Sequence, residues 1–248
     1  MIMFYFSGTG NSKYIAELFT KKASAQCYSI EESLDFNSLI ASQKVIGFCY
    51  PIYSSRIPRI MREFILNNQN ILKDKEIIIF CTQDLFSGDG ARAFLDLLPK
   101  KHVKVIYAEH FLMPNNITNA WFYPTNNQRK IQKRKELANK KIDIIYYNIS
   151  KGIIKKRGFN PFSKLLGFPQ ALFFPFVERI GRKGISIDDD CNLCGKCLKI
   201  CPMNNFDFKE KIIPGDNCTL CVRCVNECPK KAITLIFRKK IKKQYFLK

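Results

Sequence analysis

Two cysteine runs near the end of the chain restrict its chemistry more than any other feature. "CNLCGKCLKICP" places Cys191, Cys194, Cys197 and Cys201 before Pro202, and "CTLCVRCVNECP" places Cys218, Cys221, Cys224 and Cys228 before Pro229. The two runs repeat each other 27 residues apart. The surrounding segment, 184 to 237, has few large apolar side chains, and a piece of that size buries too little surface to fold unaided. Bound metal has to contribute much of its stability, so loss of metal is expected to unfold it. CxxC pairs also bind zinc, but zinc needs two CxxC knuckles or histidine completion. Here each run has four cysteines, and neither of the chain's two histidines, His102 and His110, lies in the segment. The remaining Cys27, Cys49 and Cys81 fall inside apolar runs, where a thiol behaves as a small hydrophobe.

The first 150 residues follow a different pattern. Near-continuous apolar runs at 1 to 6, 25 to 30, 44 to 50, 76 to 83 and 103 to 112 read as strands. Between them "SKYIAELFTKKA", a weak segment near 34 to 42, "PRIMREFILNN" and "GARAFLDLLPK" carry apolar residues at helical spacing, and 128 to 147 reads as a closing helix with a basic face. Apolar strands alternating with helices are what a parallel sheet covered on both faces requires. The fold class read from this is α/β, a five-stranded doubly wound parallel sheet over 1–150, followed by a second, small α+β domain over 184–237. An aromatic and basic linker at 151–183 joins them, and a basic tail, 238–248, ends the chain. The first strand leads into "SGTGNS", and a glycine-rich loop entering a helix offers unpaired N–H groups and a helix dipole to an anion. Ser7, Thr9, Asn11 and Ser12 add donors, while Gly8 and Gly10 let the backbone curl around a phosphate. A tight turn with a helix cap is the plainer alternative.

At these residues the chain resembles known families. The cysteine runs fit the CxxCxxCxxxCP pattern of bacterial ferredoxins, and "SGTGNS" is similar to the [ST]xTGxT loop with which flavodoxins wrap the phosphate of FMN. The whole chain looks like the flavodoxin and ferredoxin fusions of anaerobes. The resemblance implies a flavodoxin-like sheet, FMN, and two [4Fe-4S] clusters with crossed ligation. Cys191, Cys194, Cys197 and Cys228 would hold one cluster, and Cys218, Cys221, Cys224 and Cys201 the other. Ser7, Gly8, Thr9, Gly10, Asn11 and Ser12 would take the phosphate. Two further loops at the carboxyl ends of strands are expected to meet the flavin ring: Pro51, Ile52, Tyr53 and Ser54 after the third strand, and Thr82, Gln83, Phe86, Ser87, Gly88 and Gly90 after the fourth. Flavodoxins often sandwich the ring between Trp and Tyr; here Tyr53 and Phe86 stand in those places or pack on the sheet. "GDGARA" at 88 to 93 also matches a dinucleotide fingerprint, but it begins too far beyond its strand.

Forty-one Lys and Arg against 21 Asp and Glu give a formal charge of +20. Two clusters and a flavin phosphate would leave it at about +14. Basic stretches without an aromatic-interleaved RNA motif or a zinc finger are expected to be solvated faces or docking surfaces for acidic redox proteins, and no nucleic-acid partner is expected. Nothing at the N-terminus resembles a signal peptide. The longest apolar stretch, "FPQALFFPFV", is too short to span a bilayer, so a cytoplasmic location with no transmembrane segment is expected. Peripheral membrane contact through the aromatic linker, packing of that linker between the domains, and the oligomeric state stay open. The functional expectation is an electron-transfer protein relaying between FMN, two clusters and outside redox partners, with no catalytic acid or base in view. The rivals are a flavin-dependent reductase of a small molecule, its cavity walled by "MPNNITNAWFYP" at 113 to 124, and an iron–sulfur sensor binding nucleic acid.

Overall fold

The apolar runs of the N-terminal half pair side by side in the computed structural model, which describes residues 1–86, 88–100, 102–117, 126–235, 240–241 and 243–247. The elements are β1 (Ile2–Tyr5), α1 (Asn11–Lys22), β2 (Gln26–Ser29), α2 (Phe36–Ala41), β3 (Val45–Pro51), α3 (Arg59–Asn67), β4 (Glu76–Gln83), β5 (Lys104–Leu112) and α4 (Gln128–Ser150). Then come β6 (Lys155–Lys156), α5 (Pro161–Lys183), β7 (Ser186–Ile187), α6 (Lys196–Ile200), β8 (Phe206–Phe208), β9 (Ile212–Pro214), α7 (Arg223–Glu227) and β10 (Ile233–Thr234).

The sheet order is β2-β1-β3-β4-β5-β6, and every pairing is parallel. The first five strands follow the order of the flavodoxin-like doubly wound fold. The sixth, an edge strand of two lysines, escapes a reading based on apolar runs. Helices cover both faces, each over a phenylalanine-rich core. Phe4, Phe48, Phe64 and Phe94 lie on one side, and Phe19, Phe80 and Phe111 on the other with α1 and α4. Edge-to-face pairs such as Phe19–Phe80 at 4.9 Å and Phe36–Phe64 at 4.9 Å fix the packing beyond simple burial.

Three segments differ from the sequence expectation. "GARAFLDLLPK" forms a 3-10 helix over Arg92–Leu97 instead of an α-helix, with Pro99 close behind to prevent its continuation. The stretch expected as a linker is β6 plus the 23-residue helix α5, started by the Asn160 side chain accepting from Ser163 N–H at 2.7 Å with Pro161 in the first helical position. Pro169 and Pro175 lie inside α5, each of which removes a helix hydrogen bond. The basic tail folds back: Ile241, Tyr245 and Leu247 are buried, the last two in the core beneath α1 and α4.

The cysteine-rich segment repeats itself in backbone as well as in sequence. Helices α6 and α7 start 27 residues apart, and left-handed backbone recurs at Leu193 and Leu220, Gly195 and Val222, and Asn204 and Lys231. Its small core consists of the cysteines themselves with Ile185, Ile212, Val225, Ile233, Leu235 and Ile241.

Candidate cofactor sites

The loop between β1 and α1 is buried, and its carbonyls point outward into partners from distant parts of the chain. Arg223 donates from Nη2 to the Ser7 carbonyl at 2.8 Å and from Nε to the Gly8 carbonyl at 3.3 Å. The Leu247 N–H donates to the Thr9 carbonyl at 2.9 Å, and the Tyr14 N–H to that of Gly10 at 2.9 Å. With four successive carbonyls engaged, none of the N–H groups of Gly8, Thr9, Gly10, Asn11 or Ser12 donates to a backbone carbonyl among the described residues. They form the nest of unpaired donors that an anion requires. Ser7 Oγ is buried in the same loop without a partner, an orphan that a phosphate oxygen would satisfy.

Two glycines make this assembly sterically feasible. A Cβ on Gly8 would lie 2.3 Å from the carbonyl oxygen of Cys221. Gly10, the N-cap of α1, has φ +93, and a Cβ there would meet the Leu247 carbonyl oxygen at 1.8 Å. Side chains complete the loop. Ser12 Oγ and Thr82 Oγ1 are 2.7 Å apart, Asn116 Nδ2 donates to Thr9 Oγ1 at 3.2 Å, and Tyr245 Oη donates to Asn11 Oδ1 at 2.6 Å.

Beside the loop lies a cavity of about 270 Å³, near the lower end of small-molecule pockets. Asn11 of the first loop borders it, together with Pro51, Ile52, Tyr53 and Ser54 at and after the end of β3 and Thr82, Gln83 and Phe86 at and after the end of β4. Tyr53 Oη and Gln83 Oε1 are buried there without partners, offering a donor and an acceptor to a ring with polar edges. Gly88 and Gly90 are not among its lining and are closely packed: a Cβ on Gly88 would meet Gly167 Cα of α5 at 2.6 Å, and one on Gly90 would meet Ile52 at the same distance. Ser87 lies outside the described residues, as does 118–125 of the loop after β5; Pro114 to Ile117 of that loop do line the cavity.

Sequence reasoning missed the far wall. Gln170, Phe174 and Val177 of α5 close one side, and Leu220, Val222, Val225, Leu235 and Ile241 of the cysteine-rich segment close another. Their signal was the position of apolar residues beside the cysteines, in a segment too small to bury them alone.

The eight cysteines of the two runs line two further small cavities. Cys191, Cys194, Cys197 and Cys228 border one, and Cys201, Cys218, Cys221 and Cys224 border the other, with Cys224 reaching both. Burial pushes the Cys221 thiol up to about 12 and Cys218 to about 11, so without iron both are neutral at physiological pH, and metal must displace their protons. Cys194 is exposed, whereas Cys218, Cys221 and Cys224 are buried. Val222 and Leu235 line both the second of these cavities and the large cavity beside the phosphate loop, so one layer of side chains separates them. The donor sets thus fit two clusters on thiolates and FMN on a hydroxyl-rich nest.

Residues 2–113 match the Flavodoxin domain model, and residues 190–232 match the 4Fe-4S dicluster domain model. Among solved structures, the chain is similar to two-electron reduced Megasphaera elsdenii flavodoxin at 23% identity, over 56% of this chain and 99% of that one, with a TM-score of 0.39. It is also similar to a putative flavoprotein from Bacteroides eggerthii at 18% identity, over 58% of this chain and 96% of that one, with a TM-score of 0.40. A flavodoxin from the domain Archaea matches at 13% identity, over 58% of this chain and 97% of that one, with a TM-score of 0.37. No curated protein matches the chain. The chain is a flavodoxin domain joined to a two-cluster ferredoxin domain, a flavin and iron–sulfur electron-transfer protein.

Proposed function

We propose that the protein relays electrons between an external redox protein and its own flavin site, through the two cluster sites in series. The observation that carries this reading is the shared wall: Val222 and Leu235 border both the flavin cavity and the cavity of Cys201, Cys218, Cys221 and Cys224. Cys224 in turn borders both cluster cavities, so the three sites form a line from buried to exposed. FMN exchanges one or two electrons and each cluster one, which lets a single chain match one-electron to two-electron chemistry.

The chain's residues fix separation and exclude water. Val222, Val225, Leu235 and Ile241 keep the interior of the line apolar, and holding carriers in one protein replaces collision with fixed distance. The exposed Cys194 marks the end at which outside electrons enter or leave. Lys196, Lys199, Lys230 and Lys231 share its segment, where seven Lys or Arg are balanced by seven Asp or Glu, and Lys196 pairs with Glu227 at 3.1 Å. The steering charge is therefore that of the whole chain, whose formal +20 suits an acidic redox protein.

The test is anaerobic reconstitution followed by reduction with an acidic ferredoxin at rising ionic strength. The relay reading expects cluster and flavin absorbance to bleach together, at a rate that falls with salt. A flavin that bleaches in the holoprotein while both clusters stay oxidised would overturn it.

A further inference from the structure

Helix α5 carries its apolar stripe on the side facing away from the protein. Leu165, Phe168, Leu172, Phe173, Phe176 and Ile180 recur at spacings of three, four and one residues that keep them on one side of a helix, and all are half or more exposed, Leu165 at 69% and Phe173 at 65%. The opposite side is engaged with the rest of the protein. Gly167 packs against Asp89, Phe174 lines the flavin cavity, and Glu178 accepts two bonds from Arg62 at 2.8 and 2.9 Å. A soluble surface helix has the reverse arrangement. Six such side chains expose on the order of 600 Å² of contiguous apolar surface, which marks an interaction site.

Charge identifies the occupant. Residues 151–183 contain eight Lys or Arg and one acid, Glu178, which Arg62 neutralises. From Leu165 to Val177 there is no charged residue, and Lys164 stands at one end with Arg179 and Lys183 at the other. That stretch is about 20 Å long, shorter than the hydrocarbon core of a bilayer, and no helix among the described residues is long and apolar enough to cross a membrane. An apolar stripe with cations at both ends is suited to lying in the plane of an anionic interface, with the rings among acyl chains and the cations at headgroups. A second copy of the chain would bring two sets of eight cations together.

We infer that α5 docks the protein on the surface of an anionic lipid bilayer. Because Gln170, Phe174 and Val177 on its inner side line the flavin cavity, docking holds that cavity about one helix diameter, ~10 Å, from the lipid. The exposed Leu85 and Phe86 at the same cavity extend the apolar surface to its rim.

Flotation of the full-length holoprotein with vesicles tests this inference independently of any electron route. Vesicles of equal parts phosphatidylglycerol and phosphatidylcholine are expected to carry the protein up the gradient, with at least about tenfold weaker binding to phosphatidylcholine alone. The double substitution Phe168→Ser with Phe173→Ser, at exposed positions, is expected to lose about tenfold or more on the anionic vesicles while keeping its iron and flavin content. Binding untouched by that substitution would mean lysine attraction alone and overturn the inference. So would a protein that stays off the vesicles, whether as a monomer or as a dimer in light scattering that the substitution dissociates.

Discussion

Arg223 donates to the backbone carbonyl of Ser7 at 2.8 Å, tying a residue set between Cys221 and Cys224 to the glycine loop that we propose cradles the flavin phosphate. The same guanidinium reaches the Gly8 carbonyl, the Ile200 carbonyl at 3.0 Å and both oxygens of Glu31 at 2.6 and 2.7 Å. All of its donor nitrogens are therefore in use. By holding loop carbonyls outward it leaves the N–H groups free for an anion, so folding of the cysteine-rich segment and flavin affinity are coupled, and the coupling is reciprocal.

Replacing Arg223 by Ala is expected to weaken FMN binding roughly tenfold to a hundredfold, the scale of losing charge-assisted hydrogen bonds that preorganise the site. Arg223→Lys should recover little, because one ammonium cannot span two carbonyls and a carboxylate. Quenching of flavin fluorescence on cluster-loaded protein measures the affinity. Equal affinity in wild type and Arg223→Ala would show that the loop holds its shape without this residue.

Gly8 is closed to any larger residue. Gly8→Ala puts a methyl group 2.3 Å from the Cys221 carbonyl, backbone against backbone, so the two domains must part at this point. A loss of about 2 kcal/mol or more is expected, together with slower reduction of the flavin. Thermal unfolding and stopped-flow reduction of the same variant check both effects.

Val222 has φ +53, a conformation costly for a β-branched residue, at the position where the first run has Gly195 with φ +69. The usual ranking of Ala above Gly should therefore reverse here. Val222→Gly is expected to be more stable than Val222→Ala by about 1 kcal/mol. Both variants thin the wall between flavin and cluster, so the comparison isolates the backbone contribution. Denaturation midpoints of the two proteins, each loaded with metal, decide the order.

His110 supplies a pH dependence. Burial, followed by the nearby Arg157, lowers it to about 4, while Glu109 pulls the other way. The unfolded chain takes up the proton near pH 6.5 and the folded one does not, so the stabilisation is full above pH 6.5 and is lost as pH falls towards 4. By pH 5 the loss is about 2 kcal/mol. Glu109, buried among Lys141, Lys155 and Arg157, has a lowered pKa despite its burial, and its contribution fades only at more acid pH. In urea unfolding at pH 7 and pH 5, His110→Gln should lose less stability between the two than wild type does. An equal loss would exclude His110 as the source.

Much of this was legible in the sequence because the signals are local. Runs such as "EIIIFCTQ" are strands wherever both sheet faces are covered, and the cysteine repeat at 27 residues reappears as paired left-handed residues, Leu193 with Leu220. What the sequence hid is long-range. Nothing near "SGTGNS" announces that Arg223, Leu247 and Asn116 will hold it, since these partners lie more than 100 residues away. Helix α5 was concealed by Pro169 and Pro175, which read as breakers although neighbouring packing carries the helix through them. The tail looked like solvated lysines because its apolar anchors, Ile241, Tyr245 and Leu247, are spaced irregularly between them.

In the proposed relay, flavin and clusters exchange electrons within one molecule across the wall of Val222 and Leu235. Rapid anaerobic mixing of the holoprotein with a limiting cluster reductant, followed at flavin and cluster wavelengths over a range of protein concentrations, tests it directly. Intramolecular transfer makes flavin bleaching follow cluster bleaching with a first-order rate that does not change with protein concentration. A rate that rises in proportion to protein concentration would mean transfer between molecules, and would contradict it.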